Sequence, residues 1–371
     1  MIKTKLYYFL KSYDYKTLSF GFALLMASCS ETVQKQDHSQ QKATKELQNS
    51  DHPKSHNFST QSQFSKSSIT SFLKLDQFII MGHKNGSLSQ WDWPLTTRSI
   101  VQNSWLAHEQ TIRELSQSQH HLRSLSADGT WAEWSTNFSI IKRGRIPSAH
   151  PNTALYLGNN AYIFGSDRGV VTKFIQDKRV WRTAGEHGRA VFGLLQLDHK
   201  YLLSVGSDGW LRCWTIQKGK RCGARPIHSG WITSLKPFHQ GFITTGSNGF
   251  IKYWPKRFAY SLLKEKQRSS YSSLAKPESE IKANFKNISA VATHQNYILV
   301  GNDQGKLLLL SYDSEYATFS IEWSLKKMIL SPITALLIDI KQRQVLVANG
   351  SNTKLTFVDL LTGQIKGELN L

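Results

Sequence analysis

Cysteine is scarce in this chain: three in 371 residues, at Cys29, Cys213 and Cys222. None sits in a CxxC or CxxCH pattern, which excludes zinc ribbons, dithiol redox motifs and c-type haem attachment. HExxH and a glycine-rich phosphate loop are also missing, so the sequence gives no reason to expect a metal or a cofactor. Acidic residues are few, 26 Asp+Glu against 46 Lys+Arg, a formal +20. That surplus favours anionic surfaces such as phospholipid head groups, lipopolysaccharide, acidic proteins or nucleic acid, without choosing among them. Apolar residues are not scarce: at 40% hydrophobic and 11% aromatic the chain is too apolar to be disordered throughout.

The N-terminus differs from the rest. Lys3, Lys5, Lys11 and Lys16 precede the uncharged stretch "TLSFGFALLMASCS". A basic lead, a short apolar centre and small residues form the layout of a secretory signal. The apolar centre is about ten residues long, too short to span a bilayer as a stable helix. Its ending, "MASC", resembles the lipobox of bacterial lipoproteins, with Ala27 and Ser28 at the small positions and Met26 where Leu is usual. The resemblance implies removal of residues 1–28, lipidation of Cys29 and, through Ser30, sorting to the outer membrane of a bacterial envelope. The alternative is an unprocessed segment with an incidental Cys29, which would leave the protein cytoplasmic. Residues 29–67, rich in Gln, Ser, Lys and His, cannot bury enough surface to offset their ordering entropy and are predicted to be a flexible tether.

After the tether one pattern recurs seven times. "FIIMGHKNGSLSQW", "LRSLSADGTWAEW", "AYIFGSDRGVVTKF", "LLSVGSDGWLRCW", "GFITTGSNGFIKYW", "YILVGNDQGKLLLL" and "QVLVANGSNTKLTF" each read as two strands joined by a tight polar turn. The turn glycines Gly86, Gly129, Gly169, Gly209, Gly249 and Gly305 stand 43, 40, 40, 40 and 56 residues apart, and a seventh turn falls near Asn352. An alternating apolar run precedes each hairpin and another follows it, giving units of four antiparallel strands. Such a sheet cannot bury both faces alone, whereas a ring of them covers every face. The prediction is an all-β, seven-bladed propeller over residues 68–371, with a basic insertion at about 256–285 accounting for the long step.

These units resemble WD40 repeats. In that family His, Ser/Thr, Asp and Trp form a buried hydrogen-bonded quartet in each blade. The resemblance implies such quartets at His108–Ser124–Asp128–Trp134, at His187–Ser204–Asp208–Trp214 and, with Asn for Asp, at His228–Thr244–Asn248–Trp254. The His-to-Trp separations are 26, 27 and 26 residues. A Ser/His/Asp set would suggest a hydrolase triad, but its repetition marks it as scaffold. The first blade offers only Asn85 and Trp91, the third has Phe174 for Trp, and the last two lack both His and Trp. The chain opens on an innermost strand, "SITSFLKL", and ends on an outermost one. The strand exchange that usually locks such rings is therefore either missing or supplied by "HNFSTQSQF".

Three further features stand out. Cys213 and Cys222 flank the turn "QKGK" on adjacent strands of the fourth blade, as a cross-strand disulfide or as two small buried residues. The insertion interleaves Lys256, Arg257, Lys264, Lys266 and Arg268 with Phe258, Tyr260 and Tyr271, as an anionic-partner site or as a solvated helical excursion. At the mouth bearing the His-containing loops, Trp231, Arg189 and Arg113 are the candidate partner contacts. WD40 propellers are typically interaction platforms. The resemblance therefore implies a monomeric, non-enzymatic scaffold binding protein partners at a membrane, with an anionic envelope component as the alternative ligand and nucleic acid not expected.

Overall fold

The computed structural model describes residues 67–118, 121–146, 150–264, 273–325, 331–350 and 353–371. The signal segment, Cys29, nearly all of the tether, "HNFSTQSQF" and part of the insertion lie outside the described residues. Seven four-stranded antiparallel sheets follow one another, each built from consecutive strands of the sequence. Their innermost strands are Ile69–Lys74, Ile112–Ser118, Pro151–Gly158, Val191–Gln196, Ile232–Phe238, Ile288–His294 and Ile333–Asp339. Each packs against the next, and the last packs against the first. The seven-bladed propeller predicted from the glycine spacing is present.

The strand patterns follow from position in the ring. Second strands such as Ala161–Ser166 and Gln344–Asn349 are buried at every residue, because neighbouring blades cover both of their faces. Outermost strands such as Ile140–Arg145 alternate half-buried and exposed, since they form the rim. Apolar side chains fill the spaces between blades, and the clusters cross blade boundaries: Ile79, Met81 and Trp91 of blade 1 pack with Leu346, Leu355 and Phe357 of blade 7. The tight turns need their glycines. Gly209 has φ +77°, and a Cβ there would fall 2.4 Å from the His228 carbonyl oxygen.

All seven innermost strands shift register near their start, between Ile69/Ser71, Ile112/Glu114, Pro151/Thr153, Val191/Gly193, Ile232/Ser234, Ile288/Ala290 and Ile333/Ala335. The skipped residue no longer pairs within its own sheet. In three blades its hydroxyl reaches the next blade instead: Thr70 Oγ1 donates to Ile112 O (2.6 Å), Ser289 Oγ to Ile333 O (2.7 Å) and Thr334 Oγ1 to Ile69 O (2.5 Å). The last of these joins blade 7 to blade 1. Ser68 Oγ adds a bond to Gly350 O at 2.8 Å across the same junction. Among the described residues no strand is exchanged, and the closing joint is of the same kind as the others.

The insertion is a correction to the expectation of a solvated excursion. Its helix, Lys256–Ser261, and the 3-10 turn Leu262–Lys264 lie on blade 4, where Ala259 and Leu262 are wholly buried with Leu211 and Cys213. Ala275 N then donates to Pro226 O (2.9 Å), and Tyr260 Oη to Asp198 Oδ2 (2.9 Å). The physical reason is that an outer strand leaves edge and face uncovered, and the apolar residues of "FAYSLL" cover them. The last part of the predicted insertion, Ser279–Lys282, is the outermost strand of blade 5. Beneath the helix Cys213 and Cys222 form a disulfide across adjacent strands, with Cα atoms 5.2 Å apart.

Two outcomes follow. Ile69→Ala, which hollows the closing joint, will cost about 2–4 kcal/mol in urea denaturation. Reducing the Cys213–Cys222 bond, which closes a short loop, will cost about 2–3 kcal/mol in the same assay, and a Cys213→Ala/Cys222→Ala variant will be indifferent to reductant.

Candidate functional site

The quartets are hydrogen-bonded polar groups set inside the blades. In blade 4, Trp214 Nε1 donates to Ser204 Oγ (2.8 Å), Ser204 Oγ lies 2.7 Å from His187 Nε2, and His187 Nδ1 lies 3.0 Å from Asp208 Oδ1. A proton on Nδ1 serves the carboxylate, which leaves Nε2 to accept from the serine. Arg212 adds a charge-assisted bond to the other Asp208 oxygen at 2.5 Å. Burial pushes the Asp208 carboxyl up, but the His187 contact and the Arg212 charge outweigh it, so the group ends below the usual carboxylate range.

Blade 2 builds the same chain with one more member. Trp134 Nε1 donates to Ser124 Oγ (2.9 Å), which meets His108 Nε2 at 2.8 Å. The other ring nitrogen bonds Thr130 Oγ1 (2.5 Å), and that hydroxyl donates to Asp128 Oδ1 (2.5 Å). Thr130 relays the contact that Asp208 makes directly. In blade 5 Trp254 and His228 both bond Thr244 Oγ1 (2.8 and 2.9 Å), while the Asn248 amide turns to Ser229 Oγ at 3.0 Å.

Sequence reasoning missed a fourth set. In blade 1, Trp91 Nε1 donates to Ser89 Oγ (2.9 Å), Ser89 Oγ meets His83 Nε2 (2.7 Å), and His83 Nδ1 donates to Ser67 O (2.9 Å). The histidine comes from the second strand and the hydroxyl from the third, so the cluster is rebuilt from different backbone positions. The signal was His83 beside the turn in "MGHKNG", opposite a Ser-x-Trp.

The histidines are enclosed: His83, His108, His187 and His228 are 0%, 5%, 1% and 3% exposed, each with its ring nitrogens directed at its own blade, whereas Asp208 is 21% exposed. Burial pushes all four histidines down, His108 to about 4 and His228 to about 3, the latter helped by the Lys252 charge. The arrangement holds hydrogen bonds and keeps its imidazoles neutral. No group of three or more His, Cys, Asp or Glu side chains is placed to hold a metal among the described residues.

Other polar networks sit between blades. Arg123 Nη2 pairs with Glu133 Oε1 (2.9 Å), the Arg123 guanidinium carbon lies 3.4 Å from the centre of the Tyr156 ring, and Tyr162 Oη donates to Glu133 Oε2 (3.1 Å). Glu114 accepts from Ala154 N (2.8 Å) and Thr153 Oγ1 (3.1 Å). Burial pushes its carboxyl up, against those bonds and the charge of Lys236.

The candidate contact residues stand on different blades. Arg189 is exposed and Trp231 half-buried, ahead of the innermost strands of blades 4 and 5. Trp231 N donates to Ser247 Oγ at 3.1 Å. Arg113 sits two blades away at a register shift. Burial lowers its basicity, and Asp167 opposes that. Lys256 is exposed, whereas Arg257 pairs with Glu278.

Lowering pH will therefore destabilise the fold before any carboxylate pair is lost. The unfolded histidines titrate near 6.5 and the buried ones below it, so stability present above pH 6.5 is lost as pH falls through that value towards 4, by up to about 1.4 kcal/mol per pH unit for each histidine. Glu114, raised by burial, opposes this over part of the range. Thermal melts between pH 7.5 and 4.5 will show the decline, and His187→Gln will reduce its slope.

No family model matches the chain. It is 20% identical over 205 residues to telomerase protein component 1 of Rattus norvegicus, a match spanning 48% of this chain and 7% of that protein's length. Among solved structures it is similar to the computationally designed Ika8 protein, with 15% identity, coverage of 82% of this chain and 97% of that one, and a TM-score of 0.57. The structure of U3-55K is similar at 14% identity, covering 78% of this chain and 90% of that one, with a TM-score of 0.60. At these identities the solved structures establish the fold, and together with the distant relative they fit the resemblance to WD40 repeats.

Proposed function

We propose that the protein is a non-enzymatic scaffold, exported and lipid-anchored at Cys29, that binds protein partners in the bacterial envelope, at the outer membrane. One observation carries the scaffold reading: in each triad-like set among the described residues the histidine and the hydroxyl are buried and hydrogen-bonded to their own blade, while the Asp or Asn stays half-buried at the turn. What the ring offers to solvent is loop surface, where Arg189 and Trp231 precede successive innermost strands. The Cys213–Cys222 disulfide supports the location, because such bonds persist in oxidising compartments and are rare in the cytosol. The formal +20 charge favours a second reading, an anionic polymer or lipid bound directly.

Two measurements test this. Cys29→Ala will move the protein from the membrane to the soluble fraction; unchanged fractionation would remove the anchor. Cross-linking in intact cells will capture a protein that a Trp231→Ala/Arg189→Glu variant no longer captures. Capture of the same protein by the variant overturns this choice of face. Steep loss of a purified polyanion between low and high salt would favour the second reading.

A further inference from the structure

The central channel carries a feature that the scaffold reading does not use. Where the innermost strands of blades 5, 6, 7 and 1 finish, a cavity of about 460 Å³ opens. That size falls within the range of small-ligand sites. The quartets and Trp231 stand near the opposite, starting ends of these strands. The walls are apolar at Val291, Leu336 and Ile338, and polar at Lys74, Lys236, His294 and Asp339.

Asp339 is the informative residue. It is 2% exposed, its Oδ1 lies 3.7 Å from Lys74 Nζ, and its Oδ2 is buried without a hydrogen-bond partner among the described residues. A buried carboxylate oxygen left unpaired costs free energy that an arriving N–H donor recovers. Lys74 is further held over the Trp93 ring, 4.4 Å from its centre. Lys236, on the blade 5 wall, is exposed; its charge reaches the buried Glu114 carboxyl, but the two do not form an ion pair within 4 Å. With Lys341, three lysines and one aspartate line the cavity, so its charge favours an anion while Asp339 asks for a donor.

We propose that this end of the channel binds a small acidic ligand of amino-acid or dipeptide size. Its amino group pairs with the Asp339 carboxylate once that side chain turns toward the cavity, its carboxylates lie against Lys236 and Lys341, and its apolar part lies on Val291 and Ile338. A simple anion would leave Asp339 unserved, and a cationic ligand would meet three lysines.

The test is calorimetric titration of the full chain with the dipeptides Val-Glu and Val-Lys. Val-Glu will bind at least about tenfold more tightly than Val-Lys, and Lys236→Met, at an exposed position, will weaken Val-Glu about tenfold. Asp339→Asn will weaken it to a similar degree; should that variant fail to fold, Lys236→Met decides alone. Equal affinity for the two dipeptides, no heat from Val-Glu at millimolar concentration, or full affinity in a folded Lys236→Met variant overturns the proposal. None of these results bears on Cys29 or on the loop face, so the scaffold reading stands or falls separately.

Discussion

Everything in this molecule depends on each sheet being covered on both faces. A four-stranded sheet with apolar residues pointing both ways, as in Ala161–Ser166, is insoluble by itself, and only a neighbour on either side makes it stable. In an open row the two end sheets would remain bare. Closure removes that penalty, and the packing of Met81 and Trp91 on Leu346 and Phe357 is where it is removed. The hydroxyl bonds at the register shifts contribute less than this burial. They are directional, however, and in the three blades that have them they fix how far one innermost strand advances relative to the next.

The buried quartets serve the other half of the problem, within each blade. Trp, Ser, His and Asp link a preceding loop to the second and third strands, so a loop that could swing is tied down by groups that satisfy one another away from water. Blade 1 reaches the same end from other positions, and blade 2 with an added Thr130. Geometry is conserved among these blades more strictly than residue order. Blades 6 and 7, which lack the His and Trp, carry long aliphatic runs such as Leu307–Leu310 instead.

Much of this was legible in the residues. The turn glycines gave the blade count, and the His-to-Trp spacing located three quartets. What escaped has a common physical cause. His83 and Ser89 were overlooked because a hydrogen bond requires atoms to meet in space, whatever strand supplies them. The burial of Ala259 and Leu262 on blade 4 could not be read from a helix-forming stretch, which tells how a segment folds and not what it lies upon. The cavity beside Asp339 draws its walls from four blades, so no local window contains it.

One consequence attaches to the way blade 7 meets blade 1. In rings sealed by a borrowed strand, the seam differs from every other junction, and the chain has one permissible starting point. Here Thr334 does for that seam what Thr70 and Ser289 do elsewhere, and each sheet is complete in a single stretch of sequence. Among the described residues the ring is therefore a necklace without a privileged clasp: the join between its last and first blades is made by the same packing as every other join, and no borrowed strand marks it out.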